Sequence, residues 1–220
     1  MSKIEWCDMT WNPVWGCKNN CPYCYARKIA KRFGTTPEMR NFELTWMEKN
    51  YTKRFPAKPK RIFVNSMSDI YFWEHGWVER VFERIVDYPQ HVFMFLTKFP
   101  ESYGIWSQLI FPENCWLGIT CTTFERLVEV VLDMNHIARG NTFFISAEPL
   151  QNDIGNEIGR VGIRENFDWL IVGAETGNRK GKTIPQREWI EELVDIDIPL
   201  FMKDNLRPYW DGKFRQEWPG

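Results

Sequence analysis

Three cysteines, Cys17, Cys21 and Cys24, carry the most specific chemistry in this chain. They lie in the segment Trp15-Gly16-Cys17-Lys18-Asn19-Asn20-Cys21-Pro22-Tyr23-Cys24-Tyr25-Ala26, with three residues between the first pair and two between the second. Iron–sulfur clusters and structural zinc both bind thiolates, and both need several on one short stretch. A closed zinc site takes four ligands, so zinc would need a fourth from Cys7, Cys115, Cys121 or a histidine distant in sequence. A cubane cluster held by three cysteines leaves one iron without a protein ligand, and a small molecule can bind there directly. The spacing favours the open cluster, with zinc as the alternative.

Such a loop needs elements to present it. Short apolar, β-branched or aromatic runs predict buried parallel strands at 61–65, 91–96, 115–120, 142–147 and 169–173, with a weaker one at 199–203. Helical spacing covers 26–33, 77–88 (Val78, Val81, Phe82, Ile85), 123–138 (Leu127, Val130, Val131, Met134) and 185–194. A first strand near 11–15 would lead into the cysteine loop, giving about six βα units. Such alternation predicts an α/β fold with parallel strands, either open and doubly wound or a full or partial barrel. In both, chemistry gathers at the carboxyl ends of the strands. Those ends hold Asn65, Ser66, Ser68 and Asp69; Thr97 and Lys98; Thr120 and Cys121; Ser146 and Glu148; Gly173 and Glu175; and Lys203 and Asp204. The bland alternative is strands meeting water, with salt bridges between strand ends accounting for Glu148, Glu175 and Lys98.

At 220 residues, with no repeat, low-complexity tract or linker, the chain reads as one domain spanning 1–220. Its 28 basic and 29 acidic residues nearly cancel, which excludes a chain-wide footprint for a polyanion. Nucleic-acid contact must then be local. Arg27, Lys28, Lys31 and Arg32 form one basic segment, and Lys53, Arg54, Lys58, Lys60 and Arg61, interleaved with Tyr51 and Phe55, form another. That interleaving suits phosphate contact plus base stacking, against the alternative of a solvated helix face and a charged loop. The 12 tryptophans exceed what a core of this size needs, so some are expected to line a site or face a partner. The first eight residues include the charged Lys3, Glu5 and Asp8, and no apolar run approaches the ~20 residues that span a bilayer. No membrane association and a cytoplasmic location are therefore expected, and the six cysteines read as thiols or metal ligands.

The three-then-two cysteine spacing, with aromatic Tyr23 just before the third cysteine, resembles the radical S-adenosylmethionine (SAM) superfamily. A closer resemblance, to small phage and prophage radical SAM proteins long catalogued as a domain of unknown function, runs through seven segments. These are IEWCDMTWNP (4–13), the cysteine loop, FVNSMSDIY (63–71), LTKFPE (96–101), WLGIT (116–120), ISAEPL (145–150) and DWLIVGAETG (168–177). The chain departs from that pattern in its compact cysteine loop and in Ala174, where a second glycine is common. It also lacks the Gly-Gly-Glu segment of many superfamily members.

The resemblance implies a partial (β/α)6 barrel of the TIM-like type with cluster loop 16–26. Cys17, Cys21 and Cys24 would hold a [4Fe-4S] cluster whose open iron binds SAM. Asn65, Ser66 and Ser68 would take the methionyl amine, Thr120, Ser146 and Glu148 the ribose and carboxylate, and Tyr23 (through its backbone) and Gly173 the adenine. Lys98 and Glu175 would contact substrate or SAM, and Arg27 and Lys31 a nucleic-acid substrate. The implied reaction is reductive SAM cleavage followed by hydrogen abstraction, by an isomerase acting on a flipped, hypermodified thymidine in phage DNA. An external electron donor such as a flavodoxin, and the host cytoplasm if the chain is phage-encoded, complete the expectation. A radical SAM enzyme for a peptide, RNA or small metabolite, and a non-catalytic metal-binding module, are the alternatives.

Overall fold

Apolar runs bounded by Asn, Asp, Ser and Gly become strands here, and the amphipathic stretches between them become helices. The fold is that of a computed structural model, which describes residues 4–134, 137 and 140–220. The chain forms two compact units, residues 1–116 and 117–220.

The first unit contains β1 (Met9–Thr10), β2 (Val14–Trp15), α1 (Tyr25–Phe33), α2 (Pro37–Asn41), β3 (Thr45–Trp46), α3 (Glu48–Tyr51), β4 (Arg61–Phe63), α4 (His75–Val86), β5 (Val92–Thr97) and α5 (Glu101–Ile105). Strands β1, β4 and β5 pair in that order, all parallel, with Met9 opposite Ile62 and Ile62 opposite Phe93. The expected first strand at 11–15 is corrected: the parallel strand is β1, and the ladder ends with Trp11 N–H donating to the Phe63 carbonyl at 2.9 Å. Pro13 has no N–H to continue it. The chain then turns away, and Val14–Trp15 pairs antiparallel with Thr45–Trp46. Helix α4 buries Val78, Val81, Phe82 and Ile85, the expected i, i+3, i+4, i+7 stripe. Around it Trp11, Phe55 and Phe93 meet edge to face, with Trp11–Phe55 centroids 5.0 Å apart and Phe55–Phe93 centroids 5.4 Å apart.

The chain passes into the second unit along β6 (Cys115–Thr120), and α6 (Phe124–Met134), β7 (Thr142–Ala147), α7 (Glu157–Asn166), β8 (Trp169–Val172), α8 (Arg187–Val194) and β9 (Leu200–Met202) follow. Here the strand order is β6-β7-β8-β9, with β7–β8 and β8–β9 parallel. The helix expected over 123–138 runs over Phe124–Met134, and positions 135, 136, 138 and 139 lie outside the described residues. Every residue of β8 is buried. The outer edge of β9 is covered by the chain's own tail: Met202 N–H donates to the Arg215 carbonyl at 2.8 Å and Glu217 N–H to the Leu200 carbonyl at 3.0 Å.

The mixed α/β class with parallel strands is as expected. Many tryptophans serve the core. Trp6, Trp11, Trp73, Trp106, Trp169 and Trp210 are buried, and indole N–H groups of Trp11, Trp106 and Trp169 donate to the Asn50, Ile70 and Glu217 carbonyls. Among the described residues no helix is long and apolar enough to cross a membrane.

Candidate functional site

In the first unit, β2 delivers the chain to the cysteine loop and α1 takes it away. Gly16 begins the loop with φ of 94°, and a Cβ there would stand 2.1 Å from the Glu43 carbonyl oxygen, so only glycine fits. Cys17 N–H donates to the Phe42 carbonyl at 3.1 Å, and Cys24 N–H closes a turn onto the Cys21 carbonyl at 3.2 Å. Cys24 is also the N-cap of α1: its sulfur accepts from Arg27 N–H at 3.4 Å, as that of Cys17 accepts from Asn19 N–H at 3.4 Å. Sulfurs that receive backbone N–H groups are suited to carrying negative charge.

The neighbouring thiols disfavour ionisation of Cys17 and Cys21, Cys21 and Cys24 acting on the first and Cys24 on the second. Burial pushes the Cys17 thiol up to about 12, against the Asn19 N–H bond, and raises Cys21 as well, against the nearby Lys98 charge. Among the described residues no three His, Cys, Asp or Glu side chains converge as a metal-binding set. The cysteines therefore share a loop and an electrostatic field without meeting at a point. Their donor type, single loop and N–H-supported sulfurs fit a thiolate-ligated metal.

Around the loop, amide and carboxylate side chains tie strand ends together. Asn65 clamps Leu96 on both sides, its Nδ2 donating to the Leu96 carbonyl at 2.8 Å and its Oδ1 accepting from Leu96 N–H at 3.0 Å. Ser66 Oγ donates to Asn12 Oδ1 at 3.1 Å, and the same oxygen accepts from Met67 N–H at 3.0 Å. Ser68 Oγ accepts from the Trp73 indole at 3.1 Å. Asp69, buried, accepts from Thr97 Oγ1 at 2.6 Å, Tyr71 N–H at 3.1 Å and Lys98 N–H at 3.1 Å. Burial raises its carboxyl above the usual range, against these donors. Lys98 Nζ donates to Tyr23 Oη at 3.1 Å.

Arg27 turns toward the loop, its guanidinium donating to the Cys17 and Asn19 carbonyls at 3.3 and 3.0 Å, while Lys28, Lys31 and Arg32 are exposed. The base-stacking reading of the second basic segment is corrected. Phe55 is buried against Trp11 and Tyr88, and Tyr51 lies beneath the guanidinium groups of Arg80 and Arg84 at 4.5 and 5.3 Å.

In the second unit the ends of β7, β8 and β9 bring a second polar group together. Ser146 Oγ donates to Glu148 Oε2 at 3.0 Å, and Lys203 Nζ pairs with Glu148 Oε1 at 2.7 Å. A Cβ at Gly173 would lie 2.9 Å from Lys203 Cδ and 3.2 Å from Glu148 Oε1, so this glycine lets the pair cross its backbone. Buried Glu175 takes both arms of the Arg179 guanidinium, at 2.6 and 2.7 Å. Asn205 clamps the Ala174 peptide, accepting its N–H at 3.0 Å and donating to its carbonyl at 2.7 Å. Thr120 ends β6, buried, and Cys121 is a fully buried thiol. Glu148 thus sits in a salt bridge between strand ends, and Glu175 in one with Arg179 of the loop that follows β8.

Asn12, Arg179 and Asn205 escape a reading of the sequence, because each works through a bond to residues far along the chain or on the far side of a loop. The one available signal is position: Asn12 lies within the segment 4–13, Arg179 two residues past the segment 168–177, and Asn205 two residues past the strand-end Lys203.

No curated protein and no solved structure matches the chain. A family model does, over residues 1–204, thus running through the cysteine loop and the polar strand ends of both units. The chain belongs to the family described as protein of unknown function (DUF5131).

Proposed function

We propose that the chain is a radical SAM enzyme, a partial (β/α)6 barrel in which Cys17, Cys21 and Cys24 hold a [4Fe-4S] cluster. The observation that carries this reading is the build of the cysteine loop. Three half-buried thiols lie on one strand-to-helix connection, and two of the sulfurs already receive backbone N–H groups. When bound, the cluster and SAM supply a 5′-deoxyadenosyl radical that takes hydrogen from an unactivated carbon, a task beyond any side chain. The protein's part is ligation, orientation and exclusion of water.

The N–H groups of Asn19 and Arg27 support thiolate charge at Cys17 and Cys24, and Arg27 holds the loop carbonyls. To Thr120, Ser146, Glu148 and Gly173 we assign the ribose, carboxylate and adenine of SAM, and to the Asn65–Ser68 turn its amine. Glu175 contacts substrate. The substrate we assign is an amino-acid adduct on a flipped thymine of phage DNA, rearranged from nitrogen to carbon attachment after hydrogen abstraction. The exposed cations Lys28, Lys31 and Arg32 on α1 support contact with its backbone.

The test is anaerobic reconstitution with iron and sulfide, then SAM and dithionite, with 5′-deoxyadenosine quantified with and without hypermodified phage DNA. Cleavage stimulated by that DNA is the expected result. Cleavage indifferent to DNA keeps the chemistry and discards the substrate. A loaded protein that never cleaves SAM is a metal-binding module instead.

A further inference from the structure

The geometry points to Lys98 as a positioning residue that latches the cysteine loop through Tyr23, with buried Asp69 as the anchor that fixes where Lys98 stands. The contacts stand by themselves; their consequence for metal uptake rests on the metal-binding reading of the loop.

A buried carboxylate is tolerated only when donors surround it. Asp69 has three: the Thr97 hydroxyl, Tyr71 N–H and Lys98 N–H, at 2.6, 3.1 and 3.1 Å. Two of these come from consecutive residues, so the turn leaving β5 has one arrangement that satisfies the carboxylate. From that turn the Lys98 side chain crosses to the loop, where Nζ donates to Tyr23 Oη at 3.1 Å and stands 5.1 Å from the ring centroid. Tyr23 lies inside the turn closed by Cys24 N–H on the Cys21 carbonyl, between two of the three thiols. The other end of the loop has its own holder in Arg27, on the Cys17 and Asn19 carbonyls. Arg27 thus fixes the half around Cys17, and Lys98 fixes the half around Cys21 and Cys24.

The test uses the full chain as purified. Hydrogen exchange of the backbone amides over residues 17–25, followed by mass spectrometry, reads loop opening without metal or turnover. In Lys98→Met we expect that segment to exchange roughly three- to tenfold faster, the range for losing one hydrogen bond of ordinary net strength. Lys98→Arg should restore slow exchange. Tyr23→Phe, a mild change that keeps the variant set informative if Lys98→Met fails to fold, should loosen the same segment. The double variant Lys98→Met with Tyr23→Phe should go no further than Lys98→Met alone, as one shared contact requires. Unchanged exchange in both single variants, or additive effects in the double, would overturn the latch.

A second readout separates this inference from the function proposed above. After anaerobic loading with ferrous iron and sulfide, Lys98→Met should lose iron to a chelator several-fold faster than the wild type. A wild type that takes up no iron at all would remove the metal reading, while the exchange experiment would still decide the latch.

Discussion

Cys24 caps helix α1 with the same sulfur that we assign to the metal. The two duties separate by substitution. Cys24→Ser keeps an acceptor for Arg27 N–H and should hold thermal stability close to wild type, whereas Cys24→Ala should lose about 1 kcal/mol, the usual worth of an N-cap. Both should abolish retained iron, read by metal analysis after reconstitution. Gly16 allows no such latitude. Its left-handed φ and the Glu43 carbonyl against its α-carbon mean that Gly16→Ala should cost about 2–3 kcal/mol in urea unfolding.

His91 gives a pH signature. It is buried, its Nδ1 accepts from Lys60 N–H at 3.1 Å, and burial lowers its pKa below the ordinary imidazole value, outweighing a bond to the Pro56 backbone. The unfolded chain takes up a proton near pH ~6.5 while the folded chain resists it, so the stability from neutral His91 is full above that pH and is lost as pH falls below it. The slope from this one group reaches at most about 1.4 kcal/mol per pH unit. His91→Asn keeps an acceptor for Lys60 and cannot titrate, so its urea midpoint should fall less than that of wild type between pH 7.5 and 5.5.

At the scale of elements, the tail over β9 shows how much one side chain can hold. Arg215 is well covered and donates to the carbonyls of Val194, Ile196 and Ile198 at 2.7 to 2.9 Å, satisfying the chain as it leaves α8, and it also pairs with Glu217. Arg215→Ala strands those carbonyls and should cost about 2–3 kcal/mol, measured as a drop in urea midpoint with an unchanged slope. Arg215→Lys should recover only part, because an ammonium cannot reproduce the fork.

Elements built from apolar runs were legible in sequence to within a residue or two. The strands at 115–120 and 142–147 are β6 and β7, and the stripe on α4 is the buried one. Two were not. The first strand lies upstream because Pro13 ends the ladder, which is visible only once the partner strand is known. Helix α7 carries Gly159 and Gly162, which weaken helical propensity and the apolar periodicity; Asn156, capping Gly159 N–H at 2.9 Å, starts it nonetheless.

For the whole molecule, near-zero net charge has a measurable consequence. With formal charge −1, DNA can be held only through a local patch, and α1 exposes Lys28, Lys31 and Arg32. If those three meet phosphates, the logarithm of DNA affinity should fall against the logarithm of salt with a slope of about −3, and Lys28→Glu with Lys31→Glu should flatten it. Fluorescence anisotropy on a labelled duplex reads both; a slope near −8 would point to a footprint elsewhere.

The candidate site was legible to the same degree as the charge pattern. The cysteines and the polar strand ends stand out as residue types at positions. What each polar group binds does not, because the pairs join residues up to 75 apart in sequence, as with Tyr23 and Lys98. Likewise, nothing in the order of Tyr51 and Phe55 distinguishes rings open to solvent from rings the core has claimed.

The Asn205 clamp on Ala174 has a consequence for chain length. A side-chain amide occupies the place of a neighbouring strand, so the position of Ala174 is set from 31 residues downstream rather than by the loop that follows it. Glu175 inherits that fixed start. The exposed stretch around Thr176–Asn178 and Lys180–Gly181 is therefore free to lengthen at small entropic cost, about 0.6 kcal/mol per doubling. This loop is where a reporter peptide could be spliced in with the strand end left in place.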